Sequence, residues 1–159
     1  MTNHQPRNTT TNSRLIRATA DVLYCAFTDP EALVVWQVPG EMTGEVHQFD
    51  YRTGGGYTMS LHYPPSAEAS PGKTADHEDR YTTRFVELDP PKAIIQAITF
   101  DTTDPAFMGE LTMAITLEKA AGGTLVTIAF ADLPPGIRPE DNEAGTESSL
   151  EKLARYVEK

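Results

Sequence analysis

The histidines and the single cysteine are the side chains of this sequence best suited to metal binding or nucleophilic catalysis. His77 lies among Asp76, Glu78 and Asp79, but four consecutive residues lack the separation, as in HxxxH or CxxC, that fixes a metal ion. Cys25 has no base beside it in the sequence, which favours a buried structural thiol over a nucleophile. We therefore expect no metal site, no cofactor and no catalytic residue.

Two further patterns also favour a structural interpretation. His47 and His62 lie on opposite arms of a predicted hairpin, at positions where alternation places polar residues towards solvent. Residues 54–56 are three glycines, but the Lys and Ser or Thr of a phosphate-binding loop do not follow them, and a strand rather than a helix comes next. We interpret the glycines as a hairpin turn. No GxSxG or HExxH motif is present.

Residues 142–159 form the element around which the fold is predicted to be organised. Leu150, Leu153, Ala154 and Val157 fall at i, i+3, i+4 and i+7, which is one apolar stripe on a helix. Burial of each larger side chain contributes roughly 1.5–3 kcal/mol, so this stripe must pack on an apolar surface. The strand-like segments before it predict a curved antiparallel sheet closing over one terminal helix.

The rest of the chain predicts one strand, two short helices and six further strands. The first strand begins near Leu15, residues 20–27 form the first helix, and Asp29 caps a second helix at residues 30–36 with Pro30 in its first position. The later strands are predicted at residues 44–52, 56–63, 80–88, 92–100, 107–118 and 124–131. The fold class is α+β with about seven strands.

Composition and charge limit the domain number and the partners. The polar residues 1–12 indicate a flexible leader, and residues 13–159 indicate a single domain. Residues 64–79 predict a long exposed loop at a rim, whose role stays open. The net charge of −10 repels nucleic acid and anionic membranes. With one cysteine and no apolar signal segment, a cytoplasmic location is expected.

Four motifs in order carry a family resemblance. Residues 14–42, residues 53–57 (TGGGY), residues 87–91 (ELDPP) and the Gly122-Gly123 hairpin are followed by a closing helix that Gly145 enters. The sequence resembles proteins similar to the activator of the ninety-kilodalton heat-shock protein ATPase, within the START-like, or SRPBCC, helix-grip superfamily. Thr146 stands where that family often has Trp, and the loop at residues 64–79 is longer than usual.

The resemblance implies an apolar cavity between the sheet and the closing helix. The candidates to line it alternate on predicted strands or sit beside its mouth: Trp36, Met42, Tyr57, Met59, Leu61, Phe85, Met113 and Phe130. For each of them an ordinary core position is the alternative, and Trp36 is the strongest candidate. If the cavity performed acid–base chemistry on a bound ring, the polar groups would come from Tyr57, Tyr81, Arg84 and Gln96.

Three functions follow, and the sequence does not decide between them. The first is binding of a small hydrophobic or aromatic molecule, such as a lipid, in the cavity. The second, which the resemblance alone implies, is a co-chaperone or stress-response interaction protein with a chaperone partner. The third is an enzyme of the cyclase or aromatase kind. A homodimer is left open, and no nucleic-acid or membrane partner is expected.

Overall fold

The computed structural model describes residues 8–38, 41–64 and 78–158. The elements in chain order are β1 (Thr10–Ile16), α1 (Ala20–Phe27), α2 (Pro30–Trp36), β2 (Thr43–Asp50), β3 (Gly56–His62), β4 (Glu78–Asp89), β5 (Ala93–Phe100), β6 (Glu110–Ala120), β7 (Gly123–Ala131) and α3 (Pro139–Val157). All seven strands form one antiparallel sheet in the spatial order β1-β7-β6-β5-β4-β3-β2. The predicted α+β helix-grip fold is confirmed.

The two short helices begin at side-chain caps and are joined by one tryptophan. The Thr19 hydroxyl accepts from the Val22 N–H at 3.3 Å, and the Asp29 carboxylate accepts from the Glu31 N–H at 3.0 Å. The Trp36 indole N–H donates to the Ala26 carbonyl at 2.8 Å, and its ring meets Phe27 edge-on with centroids 4.7 Å apart. The C-terminal end of α2 is therefore held against α1.

Irregular positions interrupt the ladders of the sheet. The register shifts between Val46 and Gln48 on β2 and between Phe85 and Glu87 on β4, and such bulges bend a strand and increase its twist. Gly56 begins β3 at a φ of 154°, where a Cβ atom would lie only 1.8 Å from a backbone carbonyl oxygen of β4. Only glycine permits that close approach of the two strands.

The terminal helix α3 packs on the inner face of the sheet through the second half of its length. Leu150, Leu153 and Ala154 are buried in the core, and Val157 is half-buried beside them. The helix contacts β1, α1 and α2, and the Lys152 ammonium group donates to a backbone carbonyl just after α2. In the described part of the chain, no helix is long and apolar enough to cross a membrane.

Two predictions about the first quarter of the chain were wrong. Strand β1 begins at Thr10, inside the predicted leader of residues 1–12, because its backbone pairs with β7 and its polar side chains find partners on α3. Cys25 is exposed rather than buried, because α1 buries the face that carries Leu23, Tyr24 and Phe27. Residues 1–7 lie outside the described part of the chain.

The predicted loop at residues 64–79 also ends earlier than expected. Strand β4 begins at Glu78, so Glu78 and Asp79 belong to the sheet and pair with His62 and Leu61 on β3. Residues 65–77 lie outside the described part of the chain. The other predicted element ends differ from the observed ones by a few residues, because hydrophobic periodicity marks the middle of an element better than its termini.

Candidate functional site

A cavity of about 410 Å³ lies between the inner face of the sheet, the C-terminal end of α2 and the first half of α3. Most of its wall is apolar, including Trp36, Leu61, Ile98, Phe100, Phe107, Leu111, Met113, Ile128, Phe130, Leu133 and Ile137. Protein cavities that bind small molecules span roughly 300–1,000 Å³ and combine such walls with a few polar groups. The volume of this cavity lies within that range, and its lining has the same mixture of groups.

The space exists because the first half of α3 presents small side chains to the sheet. Asn142, Gly145, Thr146 and Ser149 all line the cavity, and they fall at i, i+3, i+4 and i+7 on one face of the helix. The same face continues with the larger apolar side chains that fill the core. The helix therefore packs closely on the core in its second half, whereas in its first half Asn142 and Glu147 contact β1 and a gap remains over the rest of the sheet.

Gln37, the residue after α2, joins the cavity to a buried pair of tyrosines. Its amide nitrogen donates to the Tyr57 hydroxyl at 3.0 Å and to the Tyr81 hydroxyl at 3.1 Å. The Tyr81 hydroxyl in turn donates to the Met59 sulfur at 3.2 Å. The Gln37 Oε1 atom is buried and has no hydrogen-bond partner among the described residues. These hydrogen bonds fix the Gln37 side chain in the wall of the cavity.

The tyrosines around the cavity stay protonated at neutral pH. Burial raises the pKa of Tyr57, although the hydrogen bond with Gln37 opposes the rise. Burial is also the main cause that raises the pKa of Tyr81. Burial, followed by the negative charge and the hydrogen bond of Asp79, raises the pKa of Tyr63 to about 12. These hydroxyls can donate and accept hydrogen bonds, but they are poor bases.

A carboxylate lies in the wall beside these tyrosines. Asp79 is only 2% exposed, lines the cavity and accepts a hydrogen bond from the Tyr63 hydroxyl at 3.0 Å. It sits two residues from Tyr81 on the same face of β4. Arg138 and Asp141, the other charged residues of the lining, are exposed, and the Arg138 guanidinium lies 3.5 Å from the carboxylate of Glu140. The cavity thus has a buried acidic group and an exposed mixed rim.

The structure brings four of the eight predicted lining residues to this cavity and places the others beneath or beside it. Trp36, Leu61, Met113 and Phe130 line the cavity. Tyr57, Met59 and Phe85 are fully buried core residues, and Met42 is half-buried against the same core. Ring contacts explain the burial of two of them, since the Tyr57 ring stacks on Phe49 and packs against Phe85, with centroids 5.4 Å and 5.9 Å away.

The predicted polar groups converge only in part. Tyr81 lines the cavity, whereas Gln96 is buried in the core near Tyr57. Arg84 is half-exposed, with its guanidinium 3.4 Å from the carboxylate of Glu110. The sequence interpretation noted Gly145 and Thr146 but did not assign Gln37, Asp79, Asn142 or Ser149 to the cavity. Their only sequence signals are the position directly after Trp36, the alternation with Tyr81, and the helical spacing of small residues.

The histidines and the glycine run singled out in the sequence lie on the first hairpin of the sheet. His47 is exposed and hydrogen-bonds with the Ser60 hydroxyl at 2.8 Å, and His62 lies 3.4 Å from the Glu45 carboxylate. Gly54 and Gly55 lie in the turn between β2 and β3, and Gly56 begins β3. Within residues 8–38, 41–64 and 78–158, no three His, Cys, Asp or Glu side chains are grouped to hold a metal ion. Asp76 and His77 of the predicted cluster lie outside those ranges.

Comparisons with known proteins agree with this architecture. Residues 17–158 match the model of the family described as activator of Hsp90 ATPase homolog 1-like protein. A crystal structure of a Chromobacterium violaceum protein is 31% identical, with a TM-score of 0.83, covering 96% of this chain and 99% of that one. The solution structure of the AHSA1-like protein from Aeromonas hydrophila is 18% identical, with a TM-score of 0.69 and coverage of 94% and 92%. No curated protein matches the sequence.

Proposed function

We propose that this chain, which belongs to the family of activator of Hsp90 ATPase homolog 1-like proteins, binds a small hydrophobic or aromatic molecule between its sheet and its terminal helix. The observation that carries the proposal is the cavity of about 410 Å³ under the first half of α3. We place this activity in the cytoplasm.

The lining supports binding of a flat or compact apolar molecule. Side chains from α2, five strands and the segment before α3 surround the space, so a ligand would be enclosed on several sides. Phe130 offers an aromatic surface, and Met113, its partner across the β6–β7 ladder, is an adaptable apolar side chain, while Trp36 lies fully buried at the edge of the cavity. Gln37 and Tyr81 add the few polar groups that orient a ligand in such a site.

A fluorescence titration with N-phenyl-1-naphthylamine, a neutral apolar probe, tests this proposal. Trp36 is the only tryptophan of the chain and lines the cavity, so excitation of this residue reports directly on the site. We expect saturable quenching of Trp36 emission by energy transfer, with enhanced probe emission at one site per chain. A linear, unsaturable change would overturn the proposal.

A matched pair of variants places the binding in the cavity. Ser149→Phe directs a large ring from α3 into the space, whereas Ala144→Phe puts the same ring on the exposed side of the same helix. We expect the first variant to weaken probe binding at least tenfold and the second to leave it unchanged. Equal affinities in both variants would show that the probe binds elsewhere.

The carboxylate in the wall supports an acid–base enzyme as a second candidate. Asp79 is buried beside Tyr63, and a buried carboxylate in an apolar cavity is a group that such enzymes use as a base. The raised pKa values of Tyr63 and Tyr81 make these tyrosines hydrogen-bond donors in that scheme. Turnover of a cyclisable polyketide-like substrate that disappears in Asp79→Asn would favour this candidate over simple binding.

Family membership alone supports the co-chaperone candidate. The name of the family refers to activation of the Hsp90 ATPase. Stimulation of Hsp90 ATPase turnover by the purified chain would support that role. If the same stimulation is measured with Ser149→Phe, the co-chaperone role does not depend on the cavity. Native mass spectrometry of the same sample reports both a retained ligand and any dimer.

A further inference from the structure

We propose that the Ser149 hydroxyl donates a hydrogen bond to the ligand and so selects apolar molecules that carry a neutral carbonyl or ether oxygen over plain hydrocarbons. This inference rests on the proposed ligand-binding function and names the chemical class of the ligand. Ser149 lines the cavity, and its hydroxyl forms no hydrogen bond with another described residue.

Ser149 faces the sheet from the middle of α3. It lies one helical turn after Gly145 and Thr146, which line the cavity, and one turn before Leu153, which is fully buried in the core. Residues three and four apart share one side of a helix, so the Ser149 side chain projects into the same space. Along β6 and β7 the opposite wall is apolar and consists of Leu111, Met113, Ile128 and Phe130. A ligand in the cavity therefore has α3 on one side and a hydrocarbon surface on the other.

The donors on the sheet side of the wall are used within the protein. The Tyr63 hydroxyl donates to Asp79 at 3.0 Å, and the Tyr81 hydroxyl donates to the Met59 sulfur at 3.2 Å. The two amide hydrogens of Gln37 go to two tyrosine hydroxyls. These groups have no free proton to donate to a ligand.

The donors on α3 differ from one another. The Thr146 hydroxyl donates to the Asn142 carbonyl at 2.8 Å, so its hydrogen is used by the helix itself. The Asn142 side chain accepts from Thr10 on β1, and its amide nitrogen lies two turns from Ser149, beside the exposed Asp141. The Ser149 oxygen is half-buried and is not among the enclosed unpaired atoms, so a ligand in the cavity can reach it.

A ligand oxygen suits this hydroxyl better than a hydrocarbon does. A carbonyl or ether oxygen accepts the Ser149 proton and replaces the hydrogen bond that the hydroxyl makes with solvent. A hydrocarbon in the same place removes the hydroxyl from water without a new partner, which is unfavourable. The rest of the ligand keeps its contact with the apolar wall in both cases. The expected difference is that of one net hydrogen bond, about fivefold in affinity.

Two naphthalenes of nearly the same shape test this selectivity. 2-Acetylnaphthalene carries a carbonyl oxygen, and 2-isopropenylnaphthalene carries a methylene group in its place. Displacement of N-phenyl-1-naphthylamine from the full chain measures the affinity of each compound. The quantity compared between variants is the ratio of the two affinities, ketone over hydrocarbon. This ratio is independent of the folded fraction of a variant and of effects that the two compounds share.

Two substitutions on α3 assign the preference to one hydroxyl. Ser149→Ala removes the free hydroxyl and should lower the ratio about fivefold. Thr146→Val is the matched control, because it removes a hydroxyl of the same wall that already donates to a backbone carbonyl. It keeps the shape of the side chain and should leave the ratio unchanged.

The outcomes distinguish this inference from the function on which it rests. Binding of both naphthalenes with the same ratio before and after Ser149→Ala would overturn the role of Ser149 and leave ligand binding intact. An equal fall of the ratio in Thr146→Val would also overturn that role, because the preference would then follow the general polarity of the wall. Failure of both naphthalenes and of N-phenyl-1-naphthylamine to bind would overturn both proposals together.

Discussion

Replacing Gln96 with methionine should stabilise the protein. Gln96 lies in the middle of β5, paired with Phe85 on β4 and Met113 on β6, and it is 1% exposed. Neither its amide oxygen nor its amide nitrogen has a hydrogen-bond partner among the described residues. Folding therefore removes two polar atoms from water without replacing their hydrogen bonds, and methionine of similar length has no such atoms to desolvate.

The expected gain in stability follows from the cost of burying the Gln96 amide without hydrogen bonds. A buried polar group without a partner costs about 1–3 kcal/mol, and volume-conserving apolar replacements usually cost less than about 1.5 kcal/mol through imperfect packing. We expect Gln96→Met to raise the free energy of unfolding by about 1–2 kcal/mol. For a chain of this length each kcal/mol raises the melting temperature by about 2–4 °C.

Urea denaturation followed by far-UV circular dichroism measures this change, and an exposed glutamine supplies the control. Gln48→Met makes the same replacement at an exposed position of β2, where the amide makes a long hydrogen bond of 3.4 Å to the Thr58 hydroxyl, and should alter the free energy of unfolding by less than about 0.5 kcal/mol. If Gln96→Met instead lowers the free energy of unfolding by 1 kcal/mol or more while Gln48→Met is neutral, the Gln96 amide is hydrogen-bonded in solution and the reasoning from its unpaired atoms is wrong.

Three other predictions test the packing, the capping and the ionisation described above. Leu153→Ala should lower the free energy of unfolding by about 2–5 kcal/mol, whereas Glu151→Ala on the exposed side of α3 should cost less than 1 kcal/mol in the same urea titration. Asp29→Ala removes the cap of α2 and should lower the free energy of unfolding by about 0.5–2 kcal/mol. Asp29→Asn keeps a capping oxygen, so thermal melting should show that it retains most of that stability. The pKa of Tyr63 rises from 10 to about 12 on folding, so the contribution of this hydroxyl to the free energy of unfolding is complete below pH 10 and is lost as the pH rises towards 12. Over that interval the free energy of unfolding should fall less steeply with pH in Tyr63→Phe. An unchanged slope would contradict the raised pKa of Tyr63.

Local patterns in the sequence were sufficient to predict the fold. The strands show period-two alternation, and α2 begins at a cap followed by proline. Both signals come from residues adjacent in the sequence, so they locate these elements without knowledge of tertiary contacts. The exposure of Cys25 did not follow from such patterns. The buried face of α1 contacts β6, α2 and α3, including Trp36 of α2, and these elements are separate from α1 in the sequence.

The candidate site was predictable only as a face of the sheet. Alternation predicted Leu61, Met113 and Phe130 on the inner side of the sheet, and these three residues line the cavity. It assigned Met59 and Phe85 to the same side, but these residues are fully covered by other core side chains. Depth along the inner face depends on where α3 crosses the sheet, and no strand sequence contains that information.

The two halves of α3 explain why a stable domain can retain an open space in its interior. Leu150, Leu153 and Ala154 provide the apolar contact that holds the helix to the sheet, so its first half does not have to fill the core. Gly145 and Thr146 stand in that first half, where a larger side chain would close the cavity. The anchoring contacts and the cavity are thus separated along one helix. A ring introduced at Ser149 should therefore abolish ligand binding without removing the contacts on which folding depends.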